Sequence, residues 1–147
     1  MKYTAIASTS LAAAAILAAA VSMPSASSAA DRIRLECRAS GSIDISMAAR
    51  HEVRSARRKF TTEFEAGPGT GFLAGARLGV QVKGVKVGTM TLEPVIGGDV
   101  VGDLNFDTRP QPPDSIAFPA NWPAPINRGA AVNVLRGTTV VLGCSLR

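Results

Sequence analysis

The chain has 147 residues with a net charge of +5, and 46% of its residues are hydrophobic. This length is sufficient for one domain built around a single buried core. A single His and two Cys argue against a zinc site and against catalysis centred on histidine.

The first thirty residues have the three parts of a secretory signal peptide. Met1 and Lys2 form a short basic start, residues 5–21 form an apolar run, and residues 28–30 are small, as a cleavage site requires. The run is short and rich in Ala, and no charge cluster follows it, which favours a cleaved signal over a membrane span. We therefore expect a mature chain of residues 31–147 that is periplasmic or secreted and is not an integral membrane protein.

Cys37 and Cys144 lie near opposite ends of the predicted mature chain. In an oxidising compartment they allow one intramolecular pairing. The bond would close a loop of roughly a hundred residues, which the chain-entropy model values at about 4 to 5 kcal/mol. It would also join the first strand to the last.

Apolar and polar residues alternate along most of the mature sequence, which is typical of strands with one buried face. Lys83 and Gly84 predict a two-residue hairpin turn, and a change in the apolar phase at Gly88 predicts a bulge. About eight strands are expected, at residues 32–38, 43–53, 59–65, 78–82, 85–92, 102–107, 132–134 and 140–146.

Residues 109–129 contain six of the nine prolines and have no periodicity, so they predict a long irregular loop. The pattern as a whole predicts an all-β chain folded as one antiparallel β-sandwich of immunoglobulin-like or jelly-roll type, with a small barrel as the alternative. Both cysteines fall on apolar faces, so the disulfide is expected to link the N- and C-terminal strands from within the core.

Catalytic candidates are few in this sequence. His51 is interpreted as an exposed strand residue near a hairpin tip, and no Gly-x-Ser-x-Gly motif is present. A glycan hydrolase that uses paired carboxylates is the enzymatic alternative, and it would draw on Asp99, Asp103, Asp107 or Asp114. Four acids spaced along one strand and its loop are also what an ordinary solvated surface presents.

Asp103, Asn105 and Asp107 place oxygen ligands at alternate positions, as the start of a calcium loop does. Asp114 occupies the twelfth position, but Thr108 stands where such loops carry Gly, and prolines interrupt the loop. The competing interpretation is a row of solvated groups on one strand face. The sequence predicts no organic cofactor.

Two segments are candidates for partner binding. Arg54, Arg57 and Arg58 lie in a basic hairpin end that could contact a polyanion such as lipopolysaccharide or an acidic glycan, or could simply be solvated. The hairpin lacks interleaved aromatic residues, so no nucleic-acid specificity is predicted. In the second segment, Phe118 and Trp122 form either a recognition surface on a proline-ordered loop or a lid over one end of the sandwich.

A series of short motifs resembles a group of small exported bacterial proteins with no assigned activity. The motifs are Val-x-Val-x-Gly-Val-x-Val-Gly-Thr at 80–89, Gly-Asp-Leu-Asn-Phe-Asp-Thr at 102–108, Phe-Pro-Ala-Asn-Trp-Pro at 118–123 and Gly-Thr-x-Val at 137–140. The resemblance implies an exported β-domain. Members of the group carry Phe at the position of Trp122, which favours packing over recognition. We expect a non-enzymatic binding or structural module of the cell envelope or secretome.

Overall fold

A computed structural model describes residues 32–147, so the predicted signal peptide of residues 1–30 lies outside the described residues. This part of the chain contains no helix, and therefore none that is long and apolar enough to cross a membrane. The all-β prediction is confirmed. The nine strands are β1 Arg32–Ser40, β2 Ile45–Arg54, β3 Arg57–Ala66, β4 Arg77–Val82, β5 Val85–Thr91, β6 Glu93–Pro94, β7 Val100–Asp107, β8 Ala131–Arg136 and β9 Thr139–Ser145.

The strands form two antiparallel sheets that pack face to face, which confirms the predicted sandwich. The larger sheet has the order β1-β2-β3-β7-β6, and the smaller has the order β5-β4-β8-β9. Alternate residues of each strand point into the space between the sheets, as the period-two pattern requires. The side chains that are fully excluded from solvent include Phe60, Phe64, Leu78, Val80 and Val132.

The β4–β5 hairpin turns at Lys83 and Gly84, as the sequence predicts. Both residues have positive φ, 48° and 82°, which is the geometry of the tight turns that match strand twist. Val80 pairs with Gly88 while Gln81 pairs with Lys86, so one residue of β5 is left over. The predicted bulge beside Gly88 is therefore confirmed.

The predicted disulfide is present and joins the two sheets along one edge. Cys37 lies on β1 and Cys144 on β9, with their Cα atoms 5.7 Å apart. Beside it, Glu36 and Arg147 exchange two backbone hydrogen bonds of 3.1 and 3.0 Å. The edge strands of both sheets are thus tied together at this side of the sandwich.

On the other side, the predicted irregular loop covers the edge strand β5 and the end of β7, whose pairing with the short β6 is limited to Val100 and Val101. The backbone of Ile116 accepts from Asp107 N–H and donates to the Asn105 carbonyl, each at 2.9 Å, so the loop extends the edge of β7. The Asn121 side chain then donates to the carbonyl of Lys86 on β5 at 3.1 Å. Covering an edge in this way removes a site where another chain could add a strand.

Three apolar residues expected on buried faces are exposed. Ile43 lies in a bend before β2 begins. Ile33 precedes Glu36 on β1, and Glu36 is the residue that pairs with Arg147, so Ile33 extends past the end of the smaller sheet. Val140 is 49% exposed because Val134 pairs with Leu142 while Leu135 pairs with Val140, so a bulge reverses the phase of β9.

We expect the double variant Cys37→Ser/Cys144→Ser to lose about 4 kcal/mol of unfolding free energy, because the bond closes a loop with a sequence separation of 107. Urea titration followed by circular dichroism measures this loss. Reduced wild-type protein should match the variant. Equal midpoints for the oxidised protein and the variant would show that the bond contributes nothing to stability.

Candidate functional site

Antiparallel pairing gathers most of the cations at one end of the sandwich, which we call the basic end. It contains the start of β1, the β2–β3 and β4–β5 turns, the loop 108–130 and the C-terminus. Its carboxylates, Glu36, Glu52, Asp107 and Asp114, are outnumbered. The cations there are Arg32, Arg34, Arg54, Arg57, Arg58, Lys59, Lys83, Arg109, Arg128 and Arg147.

A cleft opens at the basic end on the outer face of the larger sheet. It has a volume of about 180 Å³ and is lined by Arg32, Glu52, Arg54, Arg57 and Lys59. β1 contributes to it because Arg32 pairs with Arg54 in the sheet register, and Arg54 in turn pairs with Arg57. Arg32 and Lys59 were not among the predicted binding residues. Arg32 could have been predicted from the sequence by pairing the first two strands as a hairpin, because that pairing places it beside Arg54.

Arg57, which lines the cleft, forms a bidentate ion pair with Asp107 beside it. Arg57 Nε lies 3.0 Å from Oδ1 of Asp107, and Nη2 lies 2.6 Å from Oδ2. The backbone N–H of Arg109 also donates to the Asp107 carboxylate at 2.9 Å. The hydrogen bond from Arg57, helped by Arg109, outweighs desolvation and lowers the pKa of Asp107 to about 2.

The structure does not assemble the predicted calcium ligands. The Asp107 side chain is only 4% exposed and is engaged by Arg57, while Asp103 and Asn105 lie on the outer face and hydrogen-bond to each other. Among residues 32–147, no three His, Cys, Asp or Glu side chains lie close enough to hold a metal ion. The expectation that Asp107 is a solvated group is also wrong, because the loop that follows β7 folds over it.

The carboxylates named for a glycan hydrolase are dispersed. Asp107 and Asp114 line one cavity of about 290 Å³, but Asp103 is exposed on the outer face and Asp99 precedes β7 at the opposite end of the sandwich. A glycosidase needs one carboxylic acid that holds its proton near neutral pH. The lowered pKa of Asp107 excludes it from the role of that acid, and Arg57 engages both of its oxygens.

Phe118 and Trp122 pack as a lid at the basic end. The Trp122 ring lies 5.0 Å from Phe60, 5.7 Å from Phe106 and 4.8 Å from Phe118, each in an edge-to-face arrangement. The indole Nε1 is buried. This packing agrees with the lid interpretation and leaves little of the ring for stacking on a ligand.

The interpretation of His51 as exposed is wrong, because its side chain faces the core. His51 is 4% exposed and lies on the same side of β2 as Met47 and Ala49. Burial, and then the charge of Arg58, lowers the pKa of His51 from its ordinary value. The alternation in β2 could have predicted this burial, because His51 occupies the same alternate positions as the buried apolar residues of the strand.

Arg58 brings the two predicted binding segments together. Its guanidinium lies 5.2 Å from the centre of the Phe118 ring, so the basic hairpin contacts the 118–125 segment through a cation–π interaction. Arg57 is instead held by Asp107, and Arg54 remains exposed. The three arginines named from the sequence therefore have three different environments.

Comparisons of the chain with protein-family models, curated proteins and solved structures gave no match. The resemblance to small exported bacterial proteins stays a prediction, and so does export itself. The basic end and the disulfide are the described features that bear most directly on function.

We expect Asp107→Asn to lower the unfolding free energy by about 2 kcal/mol at neutral pH, because hydrogen bonds to a charged partner weaken. In the wild type, the folded pKa of Asp107 lies below the ordinary value of 3.8, so its contribution is full above pH 3.8 and is lost as the pH falls toward 2. Urea unfolding as a function of pH measures both effects. The exposed Asp103→Asn is the control, and equal losses in the two variants would contradict the role given to the pair.

Proposed function

We propose that this protein is an exported, non-enzymatic β-sandwich module that binds an anionic polymer of the cell envelope through its basic end. The observation that carries the proposal is the cleft in which Arg32, Arg54, Arg57 and Lys59 surround the single carboxylate of Glu52. A disulfide between the terminal strands suits an oxidising compartment, where such bonds persist.

The ion pairs in the cleft leave positive charge uncompensated. Glu52 binds Arg32 at 3.0 Å, and Asp107 binds Arg57 while lying 3.6 Å from Lys59. Arg54 is exposed and has no ion-pair partner within residues 32–147. Clustered cations with this excess attract anions over distances of about a Debye length, roughly 10 Å at 0.1 M salt.

The distribution of the cations favours a polymer over a small anion. They extend from the cleft to Lys83, Arg109 and Arg128 on separate turns and loops of the same end. A chain with repeated anionic groups can contact several such sites at once, whereas a single small anion can engage only one. Each contact releases counterions, so binding of this kind weakens steeply with salt.

The aromatic residues at the basic end do not support base recognition. Phe118 and Trp122 pack against Phe60 and Phe106 at the end of the sandwich, and the residues that line the cleft are all charged. Recognition of single-stranded nucleic acid relies on stacking of bases on exposed rings. A sulfated, phosphorylated or carboxylated polymer, read by charge alone, fits the surface better.

We expect the protein to bind heparin, used as a model polyanion, at low salt and to release it as NaCl rises. The double variant Arg54→Ala/Lys59→Ala should bind heparin more weakly. The slope of the logarithm of the binding constant against the logarithm of the NaCl concentration should also become shallower, by about one unit for each cation that no longer contacts an anionic group. Fluorescence anisotropy with labelled heparin measures this.

Arg77→Ala is the matched control, because Arg77 is an exposed strand residue at the opposite end of the sandwich. It should bind heparin as the wild type does. Polygalacturonate in place of heparin tests whether carboxylate groups suffice. The proposal fails if the wild type does not bind either polymer at low salt, or if Arg77→Ala weakens binding as much as the double variant.

A further inference from the structure

The one His and the one Trp of this chain lie against each other. The rings of His51 and Trp122 are 6.4 Å apart with an angle of 26° between their planes. His51 belongs to β2 in the larger sheet, whereas Trp122 belongs to the irregular segment 118–125, which we call the lid segment. The contact thus joins a strand to a segment that has no strand pairing of its own.

We propose that His51 and Trp122 form a pH-operated latch, in which uptake of a proton by His51 releases the lid segment from the end of the sandwich. The inference stands on this contact and does not depend on the polymer-binding proposal.

The surroundings of His51 cannot accommodate an imidazolium. Its Nδ1 is buried and has no hydrogen-bond partner. The indole Nε1 of Trp122, also buried and unpaired, is a donor and cannot accept a hydrogen bond from a protonated Nδ1. The rings of Phe60 and Phe106 complete the apolar cluster. A charge buried without a partner is strongly unfavourable, so protonation favours any state that admits water.

No neighbouring charge offsets this cost. On β3, Arg58 acts on His51 as a like charge, and the Lys59 backbone carbonyl is the acceptor that favours the protonated form. The side chains of Arg50 and Glu52, adjacent on β2, lie on the opposite face of the sheet. Leu35 faces His51 from β1, and Phe106 of β7 packs against the ring of Trp122. Burial and Arg58 outweigh the Lys59 carbonyl, so His51 takes up its proton below the ordinary histidine range.

The lid segment is the element that can move. His51 is held between β1 and β3, where it pairs with Leu35 and Phe60. The lid segment is held to the sheets by exposed side-chain hydrogen bonds, from Asn121 to the Lys86 carbonyl at 3.1 Å and from Lys83 to the Pro125 carbonyl at 3.0 Å. Apart from these bonds, the packing of Phe118 and Trp122 on Phe60 and Phe106 holds the segment. A segment that depends on exposed hydrogen bonds opens locally in preference to paired strands.

Opening would uncover apolar surface next to the cations of the basic end. Trp122 and Phe118 cover the rings of Phe60 and Phe106, and Arg58 is engaged with Phe118. Release of the lid segment would expose those rings and free the Arg58 guanidinium. The surface offered to a partner would therefore differ between neutral and acidic conditions.

The emission of Trp122 tests the latch directly, because it is the only Trp and the only Tyr lies at position 3, within the predicted signal peptide. The mature wild-type protein should show a red shift and greater acrylamide quenching as the pH falls from 8 to 4, with a midpoint below about 6.5. Far-UV circular dichroism should keep its β-sheet signal throughout. His51→Leu should show no transition in this range.

Proton NMR of the wild type provides a readout that needs no variant. The single imidazole and the single indole N–H should titrate together, since one proton governs both environments. The proposal is overturned if emission does not change, if the change persists in His51→Leu, or if the β-sheet signal is lost at the same pH, which would indicate global unfolding. An unfolded His51→Leu leaves the NMR comparison decisive, with separate midpoints for the two resonances counting against the latch.

Discussion

The disulfide between Cys37 and Cys144 joins two edge strands that belong to different sheets. Together with the backbone pairing of Glu36 and Arg147, it fixes the distance and alignment of the sheets along this side. Because a cross-link stabilises chiefly by restricting the unfolded chain, this constraint acts on the fold as a whole.

The opposite side of the sandwich is closed by the loop 108–130. The loop extends β7 through Ile116, reaches β5 through Asn121 and packs Trp122 against Phe60 and Phe106 of the larger sheet. Proline suits these positions because it restricts the backbone and has no N–H group that would need an acceptor. The segment that protects the sheet edges is therefore also the segment that closes over His51.

The strand topology determines where the charged residues of this fold lie. Each antiparallel connection brings the end of one strand beside the start of the next, so arginines from distant parts of the chain share the basic end. The bidentate pair of Arg57 and Asp107 lies within this region and keeps β3 and β7 in register beside the cleft. On the same two strands, Glu63 lies directly opposite Asp103, and like charges in this position oppose strand pairing. The outer face of the larger sheet is therefore acidic here and basic near the cleft.

The amino-acid sequence predicts most of the strands, the hairpin at Lys83 and Gly84, the bulge beside Gly88 and the disulfide, because each follows from local alternation, turn chemistry or the count of cysteines. The folded chain was needed to reveal the order of the strands, the burial of Asp107, the exposure of Val140 and the contact of Arg58 with Phe118. The physical reason is that a period of two indicates which side of a sheet a residue faces, whereas its neighbours across the sheet and in the covering loop are fixed by pairing between residues far apart in the chain.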